Sequence, residues 1–238
     1  MIVNMVSGPR NISTAMMYSF GQRDRCIPID EPFYGYYLST TEMTHPSSSH
    51  IVSSMPLRTE LIIQNIKDLD SEDSLVFVKN MGHHLRNMDW EFMMPFTNFF
   101  LIREPKKVIH SFAKVIPNPS IDDIGIKDQY LLFEYFKSQH IKPIIIESDT
   151  ILNNPNQALQ TLCHNLGIEY EKSMMSWEQG PKPYDGIWAP YWYQNVWNST
   201  GFQSSIDNDN ISLPVSLQPL YEEAQSYYNE LSKNLILK

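Results

Sequence analysis

The chain has 238 residues, 42% hydrophobic and 19% charged, which suits one α/β domain with a real core and excludes the apolar-poor, charge-rich composition of a disordered protein. Its net charge of −9 argues against indiscriminate binding to nucleic acid or an anionic membrane, so an anionic ligand must be held by a local cationic site. The opening MIVNMVSGPR lacks a basic leader and a long apolar run, later apolar runs are too short to cross a bilayer, and the two cysteines, Cys26 and Cys163, lie far apart; a cytoplasmic protein with reduced thiols is expected.

In chain order, the apolar, β-branched run Ile2–Val6 predicts a first buried strand, and Ser13–Arg23 a helix after it. Ile27–Asp30 predicts a second strand, and the Ser-, Thr- and His-rich stretch Ser39–Ser54 predicts a loop. Leu75–Lys79 and Phe99–Arg103 predict strands three and four. Helical spacing follows over Lys106–Val115, with Val108, Ile109, Phe112 and Val115 on one face, and over Asp128–Gln139, where Tyr130, Leu131, Phe133, Glu134 and Phe136 are expected to pack. Pro143–Glu147 predicts a fifth strand, and Asn156–Leu166 a helix bounded by Asn154-Pro155 and Gly167. Gly180–Asp209 is rich in aromatics, Pro and Asn and predicts irregular structure; residues 180–210 are a candidate lid.

Strand alternating with helix predicts a three-layer α/β/α domain spanning 1–238, around a central, mostly parallel five-stranded sheet. Ligands of such sheets bind beyond the carboxyl ends of the strands. The polar residues of interest fall there: Ser7 to Thr14, Asp30-Glu31, Lys79 to His84, and Arg103.

The segment Ser7-Gly-Pro-Arg-Asn-Ile-Ser-Thr14 leads from a strand into a helix, where unpaired backbone N–H groups and the helix dipole favour an anion. Gly8 would allow close backbone approach, Arg10 offers a planar fork for phosphate or sulfate, and Ser13 and Thr14 offer hydroxyls. The alternative is an ordinary turn in which Ser13 caps the helix. The loop lacks the second Gly and the Lys of G-x-x-x-x-G-K-[ST], which argues against an ordinary ATPase or kinase. At the fourth strand, Arg103 precedes Pro105, and Ser111 falls where its hydroxyl can face the Arg103 head, with Lys106 and Lys107 nearby.

S-G-P-R-x-x-S-T followed by L-I-R-x-P-x-x-x-x-x-S resembles the two cofactor motifs of the sulfotransferase family, P-loop-like proteins that use 3′-phosphoadenosine-5′-phosphosulfate. The likeness extends through Ile144–Ile151 and Leu159–Gly167 to Trp188–Phe202, which is similar to a bacterial and plant branch of the family. It implies that Arg10, Asn11, Ile12, Ser13 and Thr14 form the phosphosulfate loop and that Arg103 and Ser111 grip the 3′-phosphate; separately, His83 and His84 belong to no recognisable zinc pattern, so no metal site is expected. Pro9-Arg10 stands where many soluble members have Lys, and the Gly-rich basic motif that completes the 3′-phosphate site in animal cytosolic members is missing; Lys182 or Ser199-Thr200 are the substitutes to test.

Sulfuryl transfer to a hydroxyl needs a base. Glu31, in Asp-Glu-Pro beside aromatics, resembles the base of bacterial sugar sulfotransferases and ranks first; Asp30 or Glu31 capping a turn or pairing with Arg10 is the structural alternative. One of His83 and His84 ranks second, with Lys79 expected to stabilise the leaving phosphate. Tyr34, Tyr36, Tyr37, Trp188, Trp192, Tyr193 and Trp197 are candidate walls for a small-molecule or carbohydrate acceptor, or core packing. A magnesium- and ATP-dependent small-molecule kinase and a non-catalytic nucleotide-binding module are the competing functions.

Overall fold

The computed structural model describes residues 1–203 and 211–237. Five strands, β1 (Ile2–Ser7), β2 (Cys26–Asp30), β3 (Leu75–Met81), β4 (Thr97–Ile102) and β5 (Ile144–Glu147), form one sheet in the order β2-β3-β1-β4-β5. Every neighbouring pair is parallel. The twofold repeat of the strands sends alternate side chains to opposite faces. Val3, Met5, Phe77, Phe99 and Leu101 enter one core layer, and Ile2, Val6, Val76, Val78, Phe100 and Ile102 the other.

The helices are α1 (Ser13–Phe20), α2 (Tyr34–Thr40), α3 (Ser48–Ser54), α4 (Thr59–Asp68), α5 (Pro105–Phe112), α6 (Ile121–Ile124), α7 (Ile126–Ser138), α8 (Ser148–Asn153), α9 (Pro155–Leu166), α10 (Ala189–Trp192), α11 (Gln194–Trp197) and α12 (Gln218–Ser232). Those contributing to the first layer include α1, α3 and α9; α4, α5, α7 and α12 cover the other face. The α/β/α sandwich expected from the alternation is present.

On the second face a row of amides crosses the sheet. Asn80 Nδ2 donates to Asn4 Oδ1 at 2.8 Å, and Asn4 Nδ2 donates to Asn98 Oδ1 at 2.8 Å. Because these side chains are buried or nearly so, a slip of one residue would leave their amides unpaired, which fixes the register of β3, β1 and β4.

Four local expectations change. The helix expected over Lys106–Val115 ends at Phe112, and Val115 is 41% exposed rather than on the packed face. Ser39–Ser54 is not one loop: α2 reaches Thr40, and Ser48–Ser54 is helical because fully buried Ile51 anchors it to the core. In α7 the packed face is Gln129, Leu132, Phe133 and Phe136, whereas Leu131 is 44% exposed, so the expected face is rotated by about one residue. Gly180–Asp209 contains two short helices, α10 and α11, and its residues 204–209, like most of the end of the candidate lid, lie outside the described residues.

Candidate active site

The strand order places the loop after β1 at the centre of the sheet's carboxyl edge, with β4 on one side and β3 then β2 on the other. Glu31 after β2 and Arg103 after β4 thus stand three strand spacings apart, about 14 Å. A cleft of about 300 Å³ runs along this edge, lined by Arg10, Ile12, Ser13, Thr14, Arg103 and Ser111, and also by Glu31, Lys79, His83 and His84.

Residues 8–14 are shaped by strained backbone. Arg10 (φ 61°) and Ile12 (φ 58°) both occupy the left-handed region. For a β-branched residue such as Ile12 this is a true outlier, and each such residue costs about 1–3 kcal/mol. Ile12 is the N-cap of α1 and provides no side-chain cap; the first helical bond runs from Met16 N–H to the Ile12 carbonyl at 3.0 Å. Ser13 therefore does not cap the helix. The leading N–H groups of α1 face the cleft side without a side-chain acceptor, which is the arrangement that attracts an anion.

Helix α5 is the opposite case. Glu104 caps it, accepting from the N–H groups of Lys106 and Lys107 at 3.1 Å each. Its N-terminus is already neutralised, so any anion held beside β4 relies on side chains.

Those side chains meet in an unexpected pairing. Ser111 Oγ accepts from Arg10 Nε at 2.9 Å, not from Arg103. Arg103 instead donates through Nη1 to the Arg10 carbonyl at 2.9 Å, and its Nε lies 3.6 Å from Asp149 with no hydrogen-bond partner although buried. Burial, and then the neighbouring Arg103 charge, lower the pKa of Arg10. The two guanidiniums thus crowd one end of one cleft, a geometry that an intervening anion would relieve.

Among Arg10–Thr14, Asn11 is the residue that does not line this cleft. Its side chain donates to the Leu101 carbonyl at 3.0 Å and its own carbonyl accepts from Ser148 Oγ at 2.9 Å, so it fastens the loop to β4 and α8. Gly8 is required by packing, since a Cβ there would lie 2.7 Å from the Ile124 carbonyl oxygen. Lys182 is also away from the cleft: its Nζ donates to the Glu178 carbonyl at 2.7 Å, whereas Ser199 does line it.

At the other end Lys79 is fully buried and its three N–H groups meet three oxygens: Asp30 Oδ1 at 2.8 Å, Glu31 Oε1 at 2.5 Å and Tyr193 Oη at 2.5 Å. Neither carboxylate pairs with Arg10. Tyr193 donates to Asp30 at 2.8 Å and accepts from Trp188 Nε1 at 3.1 Å, and Gly186 N–H donates to Asp30 at 2.9 Å. Residues 186–193 are by these bonds fastened over the ammonium. Glu31 itself has φ 43°, a third left-handed residue at the cleft.

Burial raises the Glu31 carboxyl above the ordinary carboxylate range; Lys79 pulls it back and Asp30 pushes it further up. Burial opposes charge on Lys79, but Asp30 and Glu31 together outweigh it and hold the ammonium above its usual value. His83 and His84 are both driven well below the usual histidine value, by burial first and then by the neighbouring histidines and basic side chains, so both rings are neutral at pH 7. His84 is stacked on Tyr34 (4.4 Å between centroids) and on Tyr37 (4.8 Å), and its Nδ1 lies 3.7 Å from Glu31 Oε2.

Among the aromatics proposed as walls, Tyr34, Trp188, Trp192 and Tyr193 line the cleft, while Tyr36, Tyr37 and Trp197 do not. Trp197 serves structure, donating to Asp185 at 2.9 Å. Sequence reasoning missed Asp30 as the second anchor of Lys79, the hydrogen-bonding role of Tyr193, and His45, which lines the cleft and contacts the Tyr34 hydroxyl at 2.6 Å through Nδ1. Asp30 had a signal, since it ends a strand beside Glu31. His45 had none, because a distant segment brings it in, and Tyr193 was marked only as an aromatic wall, not as a hydrogen-bonding partner.

Fold and cleft together define an α/β protein whose cleft carries two arginines at one end and a buried lysine–carboxylate cluster at the other. The sulfotransferase domain family matches residues 1–233, and the chain belongs to that family. It resembles solved structures of the sulfotransferase domain from the curacin biosynthetic pathway (TM-score 0.65, 17% identity, 98% of each chain) and of the sulfotransferase domain from the Synechococcus PCC 7002 olefin synthase (0.64, 16%, 96% of this chain and 94% of that one). It is 32% identical over 231 residues to branched-chain-amino-acid aminotransferase-like protein 2 of Arabidopsis thaliana and 31% identical over 235 residues to protein 1 of that name. These matches take in 97% and 98% of this chain but 41% and 42% of the relatives, so the chain spans about two fifths of their length. The structural likeness shows the shared fold. No helix among the described residues is long and apolar enough to cross a membrane.

Proposed function

We propose that residues 1–238 act as one domain that transfers a sulfuryl group from 3′-phosphoadenosine-5′-phosphosulfate to a hydroxyl of a small molecule or glycan. The observation that carries this reading is the single cleft joining the uncapped start of α1, Arg10 and Arg103 at one end to Glu31 and Lys79 at the other. The donor supplies an activated sulfuryl group on a phosphate leaving group.

The residues present fit such a donor. Arg103 Nε is buried with no hydrogen-bond partner, and the first turn of α1 has no side-chain acceptor. The N–H groups of α1 with Ser13, Thr14 and Arg10 would hold the 5′ end, and Arg103 and Ser111 the 3′-phosphate. Asn11 contributes by positioning the loop.

Glu31 is the proposed base. Its carboxyl is raised above the ordinary carboxylate range, in the direction that makes a better base, and Lys79 orients it. His83 and His84, held neutral, are weaker bases and would orient the acceptor or take part in Glu31's proton exchange. Lys79 has all three of its N–H groups engaged, so contact with the leaving phosphate requires exchange of one partner, of which Tyr193 is the neutral one.

The test is incubation of the purified chain with the sulfate donor and a broad panel of hydroxyl acceptors, followed by mass spectrometry. A product heavier by one sulfuryl group, formed with stoichiometric adenosine 3′,5′-bisphosphate, supports the proposal. Nucleotide binding without any product across the panel contradicts it in favour of a binding module.

A further inference from the structure

We propose that the acceptor end of the cleft selects a hydroxyl carried by an uncharged ring with an apolar face and rejects acceptors that bear a carboxylate, sulfate or phosphate. This inference rests on the sulfuryl-transfer reading above.

The charge inventory carries it. Among the described residues lining the cleft, the permanent cations are Arg10, Arg103 and Lys79. The two arginines sit at the β1–β4 end, tied to Ser111 and to the loop. At the β2–β3 end Lys79 stands alone, and Asp30 and Glu31 already hold it, at 2.8 and 2.5 Å. With both carboxylates ionised, that buried cluster is net negative. An anionic acceptor would meet it without a free cation and would also face the anionic donor.

The remaining polar groups at this end are neutral. His45, like His83 and His84, has its pKa lowered chiefly by burial. His45 Nε2 is buried without a partner, and a neutral imidazole nitrogen suits a hydroxyl. Around these groups stand ring faces and edges: Tyr34 and Trp188 meet edge to face at 5.0 Å, and Trp192 links the two ends, its ring 6.2 Å from His45 and its carbonyl accepting from Arg10 Nη1 at 3.5 Å. Such surfaces bury the flat side of a ring.

The experiment is equilibrium dialysis of the full chain, saturated with adenosine 3′,5′-bisphosphate, against 2-naphthol and against its 6-carboxylate. We expect 2-naphthol to bind saturably and the carboxylate to bind roughly 100-fold more weakly, the scale of one added like charge in a partly buried site. Glu31→Gln is expected to shrink that ratio by about tenfold, whereas Lys182→Ala, remote from the cleft, leaves it unchanged. Similar affinities for the two ligands, tighter binding of the carboxylate, or no binding of 2-naphthol would each overturn the inference while nucleotide binding stands. Loss of nucleotide binding itself, measured in the same samples, would overturn the underlying reading and this inference with it.

Discussion

Ser111 Oγ accepts a hydrogen bond from Arg10 Nε at 2.9 Å, joining two motifs 101 residues apart. The parallel sheet makes this possible, because β1 and β4 are adjacent and both deliver their following segments to the same edge. Ser111 thereby organises the arginine of the first motif. Ser111→Ala should weaken binding of adenosine 3′,5′-bisphosphate by about tenfold, the size of one charge-assisted hydrogen bond, and Ser111→Thr should retain most of it; titration calorimetry reads both.

Glu31→Gln keeps the shape of the side chain and removes the proton acceptor. Nucleotide affinity is expected to stay within about twofold while kcat falls about 10²–10⁴-fold. In the wild type the acidic limb of kcat/KM should lie above the ordinary carboxylate range, because burial raises the Glu31 pKa. That limb should vanish in Glu31→Gln. A limb that survives there and moves in His84→Gln would assign the base to His84.

Lys79 balances two buried carboxylates, so its loss leaves charge without a partner. Lys79→Met should destabilise the protein by about 3–5 kcal/mol, and adding Asp30→Asn should recover part of that. Chemical denaturation of the three proteins checks the order. Equal stability for Lys79→Met and wild type would contradict the buried cluster.

His83 and His84 make stability depend on pH with a definite sign. Their folded pKa values lie well below the unfolded value of about 6.5, so below that pH the unfolded chain takes up protons that the folded one refuses. Their contribution is full above about pH 6.5 and is lost as pH falls, at about 1.4 kcal/mol per pH unit for each ring. Denaturation midpoints measured from pH 7 to pH 5 should fall in the wild type and flatten in His83→Asn/His84→Asn.

Much of this was legible in the sequence because buried parallel strands are short apolar runs. All five show that signal, with ends displaced by at most two residues from the observed ones. That the two arginine motifs meet in one cleft was legible, since both follow strands at the sheet's carboxyl edge, but the pairing of Ser111 with Arg10 rather than Arg103 was not. Helices α4 and α12 went unread, since each buries only a narrow stripe: Ile62 with Ile66, and Ala224 with Leu231. The face of α7 was misplaced because Leu131 is apolar yet exposed, and Gln129 is polar yet buried, donating to the Val6 and Leu101 carbonyls. His45 reaches the cleft from a segment whose position tertiary packing alone decides, as do the hydrogen bonds of Tyr193 to Lys79 and Asp30.

The central claim is that Arg10 and Arg103 act on one ligand in one cleft. Calorimetry with adenosine 3′,5′-bisphosphate on the wild type, Arg10→Ala, Arg103→Ala and the double variant tests it most directly. Each single variant is expected to lose about 1.5–3 kcal/mol of binding, and the double to be non-additive because the two residues contact each other. A wild type that does not bind the nucleotide, or single variants that bind it as tightly as the wild type, would contradict the account.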